Sequence, residues 1–564
     1  MNNQLIECVP NFSEGNDLNI IKQITDAIES VEGIRLLDVD PGKATNRTVV
    51  TFVGEPTTVV EAAFRGIKKA GELIDMSKHK GEHPRMGATD VCPFIPVSNI
   101  TMEETVKFAK QLAERVGNEL SIPVYLYESA ASTPERKNLA TVRAGEYEGL
   151  AKKILLPEWK PDFGEAKFNA KSGASVIGAR DFLVAYNINL NTTSTRRANS
   201  IAFDVREAGR VKRKGDSVSG EIVKDEKGNP VSIPGTLKSV KAIGWYIEEY
   251  GIAQISMNLT NTNVTPVHIA FDEVCRSADS RGVRVTGSEL VGLVPKKCLL
   301  DAGKYFLEKQ KRSLGISEEE LIKIAVKSLG LDELAPFDPK KKIIEYLLED
   351  SSSGKLVSMN LRAFANETAS ESPAPGGGSI AAYMGALGAA LGTMVGNLSS
   401  HKKGWDDRWK EFSDWAEKGQ AMKDALLKSV DEDTEAFNKI MNAFSFPKNS
   451  DEEKKIRAVE IQSATKHAME IPFRVMQLSS EAFPLLKAMA ETGNPNSVSD
   501  AGVGAIAARG AVLGAYLNVK INSSGLKDET FRNDMLAKAE AIKTAAINSE
   551  NEILTIVESK MKNS

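Results

Sequence analysis

With 564 residues, 41% apolar and 26% charged side chains and a formal net charge of -4, the chain is too long for one hydrophobic core and too evenly charged for a disordered or nucleic-acid-binding protein. Its start, "MNNQLIECVPNFSEG", lacks a basic segment followed by an apolar run, and no later stretch reads as a charge-free membrane helix; a cytoplasmic protein without a membrane span is expected. Cys8, Cys92, Cys275 and Cys298 have no CxxC spacing, which favours reduced core thiols over a disulfide framework or a zinc ribbon.

In chain order, apolar "LIECVPNFS" is followed by helical "DLNIIKQITDAIES", β-rich "IRLLDVD" and "NRTVVTFVGE", helical "PTTVVEAAFRGIKKAGELI", then "TDVCPFIPVS", a helix and "IPVYLYES". The order is β-α-β-β-α-β with an added α-β. "DFLVAYNINL", "STRRANSIAFDVREAG", "SVKAIGWYIEE", "IAQISMNLTN", "VTPVHIAFDEVCRSADS" and "VRVTGSELVGLVP" repeat it. The expectation is two α/β subdomains (α+β, ferredoxin-like, mixed-sheet) at 1–180 and 181–330. The charged stretch 211–236, with "KGNP" as turn chemistry, reads as a surface insertion carrying a hairpin. A polar, Pro/Gly-bearing linker is expected at 331–354. From Lys355 onward alanine, leucine, glutamate and lysine recur at helical spacing, predicting an all-α helical-bundle domain over 355–564.

"HKGEHPRMGATD" holds His79 and His83, two of the five histidines. Their spacing would suit a zinc helix, but Gly81 and Pro84 break the helix and no third ligand follows, so no metal is expected. A proton-transfer loop and a solvated basic connection both remain open. In the C-terminal third, Leu426, Val430, Phe437, Ile440 and Phe444 form one helical stripe that also carries Asp433, while Asp431 points elsewhere. A carboxylate on a packing face either bonds to a neighbouring helix or faces a cavity with a raised pKa. His268, His401 and His467 read as packing or surface residues.

Several of these runs resemble known folate enzymes. "DVDPGKATNRTVVTFVG", "HKGEHPRMGATDVCPFIPV" and "FGEAKFNAKSGASVIGARDFLVAYNINL" resemble glutamate formiminotransferase. "APGGGSIAAYMGALGAALGTMVGNLS", "DEDTEAF" and "GNPNSVSDAGVGA" resemble formimidoyltetrahydrofolate cyclodeaminase. Their order is that of the bifunctional formimidoyltransferase-cyclodeaminase family, and the 211–236 insertion is the departure from it.

The resemblance implies transfer of a formimino group from N-formimino-L-glutamate to tetrahydrofolate, then cyclisation to 5,10-methenyl-tetrahydrofolate with loss of ammonia. It places the catalytic histidine at His83, a candidate general base and acid, and the catalytic aspartate of the second reaction at Asp433. It places folate binding on Gly164, Glu165, Ala166, Lys167, Phe168, Asn169, Ala170, Lys171, Ser172 and Gly173. There Lys167 and Lys171 suit the carboxylates of a polyglutamylated cofactor. Asp40, Asn46, Arg47 and Arg85 are candidate substrate-binding residues: Arg47 to clamp a carboxylate, Asp40 to orient His83 or hold the pterin.

Gly376, Gly377 and Gly378 precede a helix whose free N–H groups suit a carboxylate or the pterin edge, and the run lacks the GK[ST] ending of a nucleotide loop. Asp500 either caps the helix of "GVGAIAARG" or assists Asp433. Self-association is expected. The alternatives are a helical domain hydrolysing methenyl-tetrahydrofolate and a folate-binding scaffold without turnover.

Overall fold

The first strand, β1 (Leu5–Cys8), buries Ile6 and Cys8 against helices and turns Glu7 to the opposite face, the period-2 pattern of a strand covered on both sides. The computed structural model describes residues 4–43, 45–81, 84–215, 220–226, 228–348 and 354–562. It divides into two compact units: Met1–Cys298 with Leu329–Leu347, and Leu299–Ser328 with Leu348–Ser564. The expected boundaries differ from this. Residues 299–328 go with the helical unit rather than the second α/β subdomain, and the expected linker 331–354 is shared between the two units.

In the α/β unit, β2 (Asn11–Phe12), β3 (Arg35–Gly42), β4 (Arg47–Gly54), β5 (Thr89–Ser98), β6 (Val124–Glu128) and β7 (Ser175–Ala179) join β1 in a seven-stranded sheet. The order is β1-β4-β2-β5-β7-β6, with β3 on β4 and a further β1–β5 pairing. β7 lies parallel to both β5 and β6, making the sheet mixed; the sequence reading had no strand there. Helices α1 (Leu18–Glu29), α2 (Pro56–Leu73) and α3 (Met102–Leu120) cover one face. α1 starts where Asp17 accepts the N–H groups of Asn19 and Ile20, and α3 opens on a Thr101/Glu104 capping box. The short α4 (Leu139–Arg143) and α5 (Glu146–Lys153) cover part of the other face, over Val91, Tyr125 and Val176.

The second sheet takes the order β11-β12-β8-β13, from β8 (Val184–Leu190), β11 (Val240–Ile247), β12 (Ile252–Leu259) and β13 (Val285–Val291), all antiparallel. α6 (Thr195–Val205) and α7 (Val267–Asp279) pack on the face carrying Tyr186, Ile188, Ile255 and Met257, leaving Asn187, Asn189 and Gln254 on the other. The insertion forms a small ribbon, β9 (Arg210–Val211) with β10 (Ser232–Ile233), closed by a turn in which Asn229 N–H reaches the Asp225 carboxylate. Cys8 and Cys92, 84 positions apart in sequence, lie buried with their sulfurs 3.5 Å apart as free thiols.

The chain continues through α8 (Lys296–Lys309), α9 (Glu318–Leu329), α10 (Pro339–Lys342), α11 (Ile344–Leu348) and α12 (Leu361–Thr368). Five long helices follow: α13 (Gly377–Ser400), α14 (Trp409–Ser445), α15 (Asp451–Thr492), α16 (Val498–Ser523) and α17 (Glu529–Lys562). Their shared core holds Leu426, Val430, Met469, Leu485, Leu486, Ala505 and Val512. α15 runs as one helix through Pro472, which is buried, and Pro484, which is exposed.

One expectation is overturned here. α13, at 24 residues without a charged side chain, and the segment Pro495–Ser523 are both long and apolar enough to cross a membrane by length and composition. Their apolarity is built from alanine and glycine rather than leucine, which hid it in the sequence. Much of each is packed inside the helical unit, 61% and 44% of the most apolar window respectively. "GVGAIAARG" is helix with no strand before it, as expected.

Candidate functional site

The α/β unit draws its candidate residues together around the segment that carries the two histidines. Glu82 and His83 lie outside the described residues, but the chain on either side of them is firmly held. His79 donates from Nε2 to the Asn46 carbonyl (2.9 Å) and accepts from Arg85 Nε at Nδ1 (3.2 Å), which leaves that ring no lone pair for a metal. Asn46, with φ +47°, accepts from Gly15 N (3.0 Å) and Asn16 Nδ2 (2.8 Å) and donates to the Lys80 carbonyl (2.8 Å), tying two other loops to its own through one carboxamide.

Arg85 is 7% exposed and fully engaged: with Glu146 (3.2 Å), with both oxygens of Glu148 (2.7 and 3.1 Å) and with the His79 carbonyl. Expected as a substrate ligand, it is placed as a strut between this segment and α5. Arg47 lies at the start of β4, where desolvation pushes its guanidinium down to about 10; Asp90 and Asp40 oppose that shift, and Arg143 adds to it. Asp90 is fully buried, accepts from Met86 N (3.0 Å) and pairs with Arg143.

The run expected to bind folate, Gly164 to Gly173, packs directly beside this segment. Ala88 N donates to the Ser172 carbonyl (2.8 Å) and Ala174 N to the Met86 carbonyl (3.1 Å). Gly173 has φ +67°, and a Cβ there would fall 2.1 Å from the Met86 oxygen, so the close approach requires glycine. Of the two lysines, Lys171 donates to the Glu72 carbonyl (2.7 Å), whereas Lys167 is exposed.

Sequence reasoning missed the polar face of the second sheet. Trp245 Nε1 donates to Gln254 Oε1 (3.2 Å), Gln254 Nε2 to Asn189 Oδ1 (2.8 Å), and Asn189 Nδ2 to Glu333. The signal was present: polar side chains alternate with apolar ones along "AYNINL" and "IAQISMNL". Burial raises Glu128 on β6 while the charge of Lys241 on β11 lowers it, and Tyr250 is raised by burial and then by the charges of Glu289, Glu249 and Asp40. Glu7, 4% exposed, is pushed up to about 7 by burial, with Arg180 opposing and Glu345 adding.

In the helical unit Asp433 sits half-buried on α14 against the start of α13. Its carboxyl is raised above the usual range by burial and lowered by hydrogen bonds from the side chain and backbone of Ser379. Ser379 Oγ is 3.3 Å from Asp433 Oδ2, 2.8 Å from the Val430 carbonyl and 3.4 Å from Thr434 Oγ1. A Cβ on Gly378 would lie 2.1 Å from Asp433 Oδ1. The glycine run and the D-x-D pattern, 55 positions apart in sequence (378 and 433), are thus one site, with Asn518 of α16 closing on Gly377.

Asp431 does point elsewhere, accepting the N–H groups of Leu356 (2.9 Å) and Val357 (3.4 Å). Asp500 lies in the first turn of α16, 18 residues before Asn518 and so about 27 Å along the helix, which removes it from the Asp433 site of its own chain. His401 ends α13 and accepts Ser313 N (3.0 Å), and His467 lies on α15 near Lys439. Among the described residues, no group of three or more metal-ligating side chains converges.

Three family models match consecutive stretches of the chain: Formiminotransferase domain, N-terminal subdomain, over residues 5–180; Formiminotransferase domain over 185–349; and Formiminotransferase-cyclodeaminase over 360–541. The chain is 46% identical to a formimidoyltransferase-cyclodeaminase of Mus musculus across 94% of each protein. It is 42% identical to a glutamate formimidoyltransferase of Streptococcus pyogenes serotype M1, over 54% of this chain and 94% of that one. Over 36% of this chain and 97% of the other, it is 37% identical to a methenyltetrahydrofolate cyclohydrolase of Methylorubrum extorquens. Identity at this level along nearly the whole length shows that the chain belongs to the formimidoyltransferase-cyclodeaminase family.

Proposed function

We propose that this protein is a bifunctional folate enzyme of histidine degradation. Its α/β unit moves the formimino group of N-formimino-L-glutamate to N5 of tetrahydrofolate, and its helical unit closes N10 onto that carbon and expels ammonia. The observation that carries the reading is the 46% identity over 94% of both chains to a protein bearing both activities in its name.

For the transfer, His83 is the general base and acid: it takes the proton of the attacking N5 amine and returns it to the departing nitrogen of glutamate. Its role rests on the resemblance and on the anchored flanks at His79 and Arg85. Arg47, with Asp40 nearby, faces the substrate carboxylate, and the 164–173 run holds the cofactor beside it. The exposed Lys167 suits a polyglutamate tail. For the cyclisation, Asp433 carries the proton from N10 to the leaving nitrogen; burial supports this by keeping its carboxyl easier to protonate than a surface aspartate.

The β11-β12-β8-β13 order with two crossover helices supports a ferredoxin-like second subdomain, within transferase subdomains at 1–180 and 181–330 and a cyclodeaminase domain from 355. A cytoplasmic location agrees with the histidine-degrading role. Self-association is supported by exposed Leu387, Met394 and Leu398 on α13 and Val503, Ile506 and Leu517 on α16, more apolar surface than a lone helix pair normally leaves in water. The similarity to a cyclohydrolase supports a second reading, in which the helical unit hydrolyses the methenyl product.

Ammonia release separates the two readings. His83→Ala should abolish formimino transfer and spare ammonia release from supplied 5-formimino-tetrahydrofolate, and Asp433→Ala should do the reverse. Loss of both half-reactions in either variant would overturn the two-site reading, and turnover without ammonia would favour the hydrolase.

A further inference from the structure

The contacts of Ser379 in the helical unit contain a conflict. Its hydroxyl has one hydrogen and three oxygens within reach: the Val430 carbonyl at 2.8 Å, Asp433 Oδ2 at 3.3 Å and, more distantly, the Thr434 hydroxyl at 3.4 Å, which can donate as well as accept. A carbonyl only accepts, so while the hydrogen lies on Val430 the Ser379 oxygen turns a lone pair toward Asp433. That arrangement suits a protonated carboxyl, whose O–H donates to the serine. An ionised carboxylate requires the opposite polarity, and a rotation about the Cβ–Oγ bond supplies it.

We propose that Ser379 is a positioning residue for the proton cycle at Asp433, its hydroxyl donating to Val430 when the carboxyl is protonated and swinging to Asp433 Oδ2 when it ionises. The inference rests on the reading of Asp433 as the proton carrier of cyclodeamination. N10 attacks the carbon of the protonated formimino group, the N10–C bond forms, and the N10–H proton passes to Asp433. The same proton then moves to the tetrahedral carbon's amino nitrogen, the C–N bond breaks, and ammonia leaves with the electron pair of that bond. The cation that enters as an amidinium leaves as the methenyl cation, so atoms and charge balance. Ser379 follows the two states of the carboxyl without itself gaining or losing a proton.

Position supports this role. Ser379 is fully buried, and its backbone N–H also bonds the carboxylate, which holds this stretch of α13 beside Asp433. Among the described residues, charged groups around the site are few. α13 carries none. On α14, Asp431 is engaged with Leu356 and Val357, and Glu432 pairs with Arg474 of α15. α16 brings the uncharged Asn518. Hydrogen bonding by Ser379, rather than a neighbouring charge, therefore opposes burial at this carboxyl.

The test is ammonia release from 5-formimino-tetrahydrofolate by the full chain across pH, comparing the parent with Ser379→Ala, Ser379→Cys and Asp433→Asn. Loss of the donor destabilises the ionised form, so the acid limb of kcat/KM should move upward by about one pH unit in Ser379→Ala, the shift that one hydrogen bond to a charged group produces. KM should stay within about twofold, transferase turnover should not change, and an unchanged melting profile certifies a folded helical unit. Ser379→Cys keeps the shape with a weaker donor and should fall between the two. An acid limb in the parent position for both serine variants, with Asp433→Asn inactive, overturns the role of Ser379 alone. Full activity in Asp433→Asn overturns the reading beneath it.

Discussion

Gly378→Ala isolates the geometry of the cyclisation site from its chemistry. The added Cβ falls 2.1 Å from Asp433 Oδ1, 2.4 Å from Cγ and 2.5 Å from Oδ2, whereas ordinary contact begins near 3.4 Å. The carboxylate is the end of a short side chain and gives way before the helix backbone does, so it withdraws by more than about 1 Å, a misplacement that costs on the order of 100-fold in a positioned proton transfer. The backbone itself has no objection to alanine, since Gly378 is helical and its φ lies outside the left-handed region. Replacing a helical glycine contributes up to about 1 kcal/mol of stability, offsetting part of the local crowding. The expected result is cyclodeaminase turnover down about 100-fold, measured as ammonia release, with transferase turnover unchanged and the melting temperature within a few degrees of the parent. Ammonia release within about twofold of the parent, from a chain with an unchanged melting profile, would refute the reasoning, because the carboxylate position would then be irrelevant.

Two further outcomes follow from buried charge in the α/β unit. Arg143→Ala leaves the fully buried Asp90 without its ion-pair partner and should lower stability by about 3 kcal/mol, read in chemical denaturation. Glu7, raised to about 7 by burial, holds a proton in the folded chain that the unfolded chain loses above about pH 4.5, so stability should fall as pH rises through that window. The shift corresponds to roughly 3 kcal/mol between those limits. Glu7→Gln should flatten that slope, and melting curves of parent and variant that stay parallel from pH 5 to 8 would contradict it.

Much of the fold was legible because its cues are local. Asp17, Thr101 with Glu104, and Pro56 mark helix starts within a few residues, and the β-branched and aromatic run "RTVVTFVG" exposes its strand. β7 escaped because a buried parallel strand shows little alternation, and "SVIGA" is fully buried. The stripe through Leu426, Val430 and Asp433 was read correctly up to the aspartate, beyond which Phe437 and Phe444 are 40% and 50% exposed. Asp433 thus sits half-buried at the edge of the main core, beyond which α14 buries Ala436 against Ala468 and Ile471 of α15. Its partner Ser379 was illegible, since nothing local distinguishes one serine among many before the start of α13 is docked on α14. The carboxylates that engage Arg85 were out of view for a related reason: Glu146 and Glu148 lie some 60 positions further on.

The division of the backbone also bears on how the two catalytic halves can be separated. The chain changes unit after Cys298, again after Ser328 and again after Leu347. A single cut placed at either outer change strands a segment: truncation after Cys298 removes Leu329–Leu347 from the transferase half, and truncation after Leu347 leaves Leu299–Ser328 without its helical neighbours. Excising one half cleanly therefore calls for two edits and a splice, and a protease nick in the polar stretch near Lys355 should release fragments that stay associated until denatured.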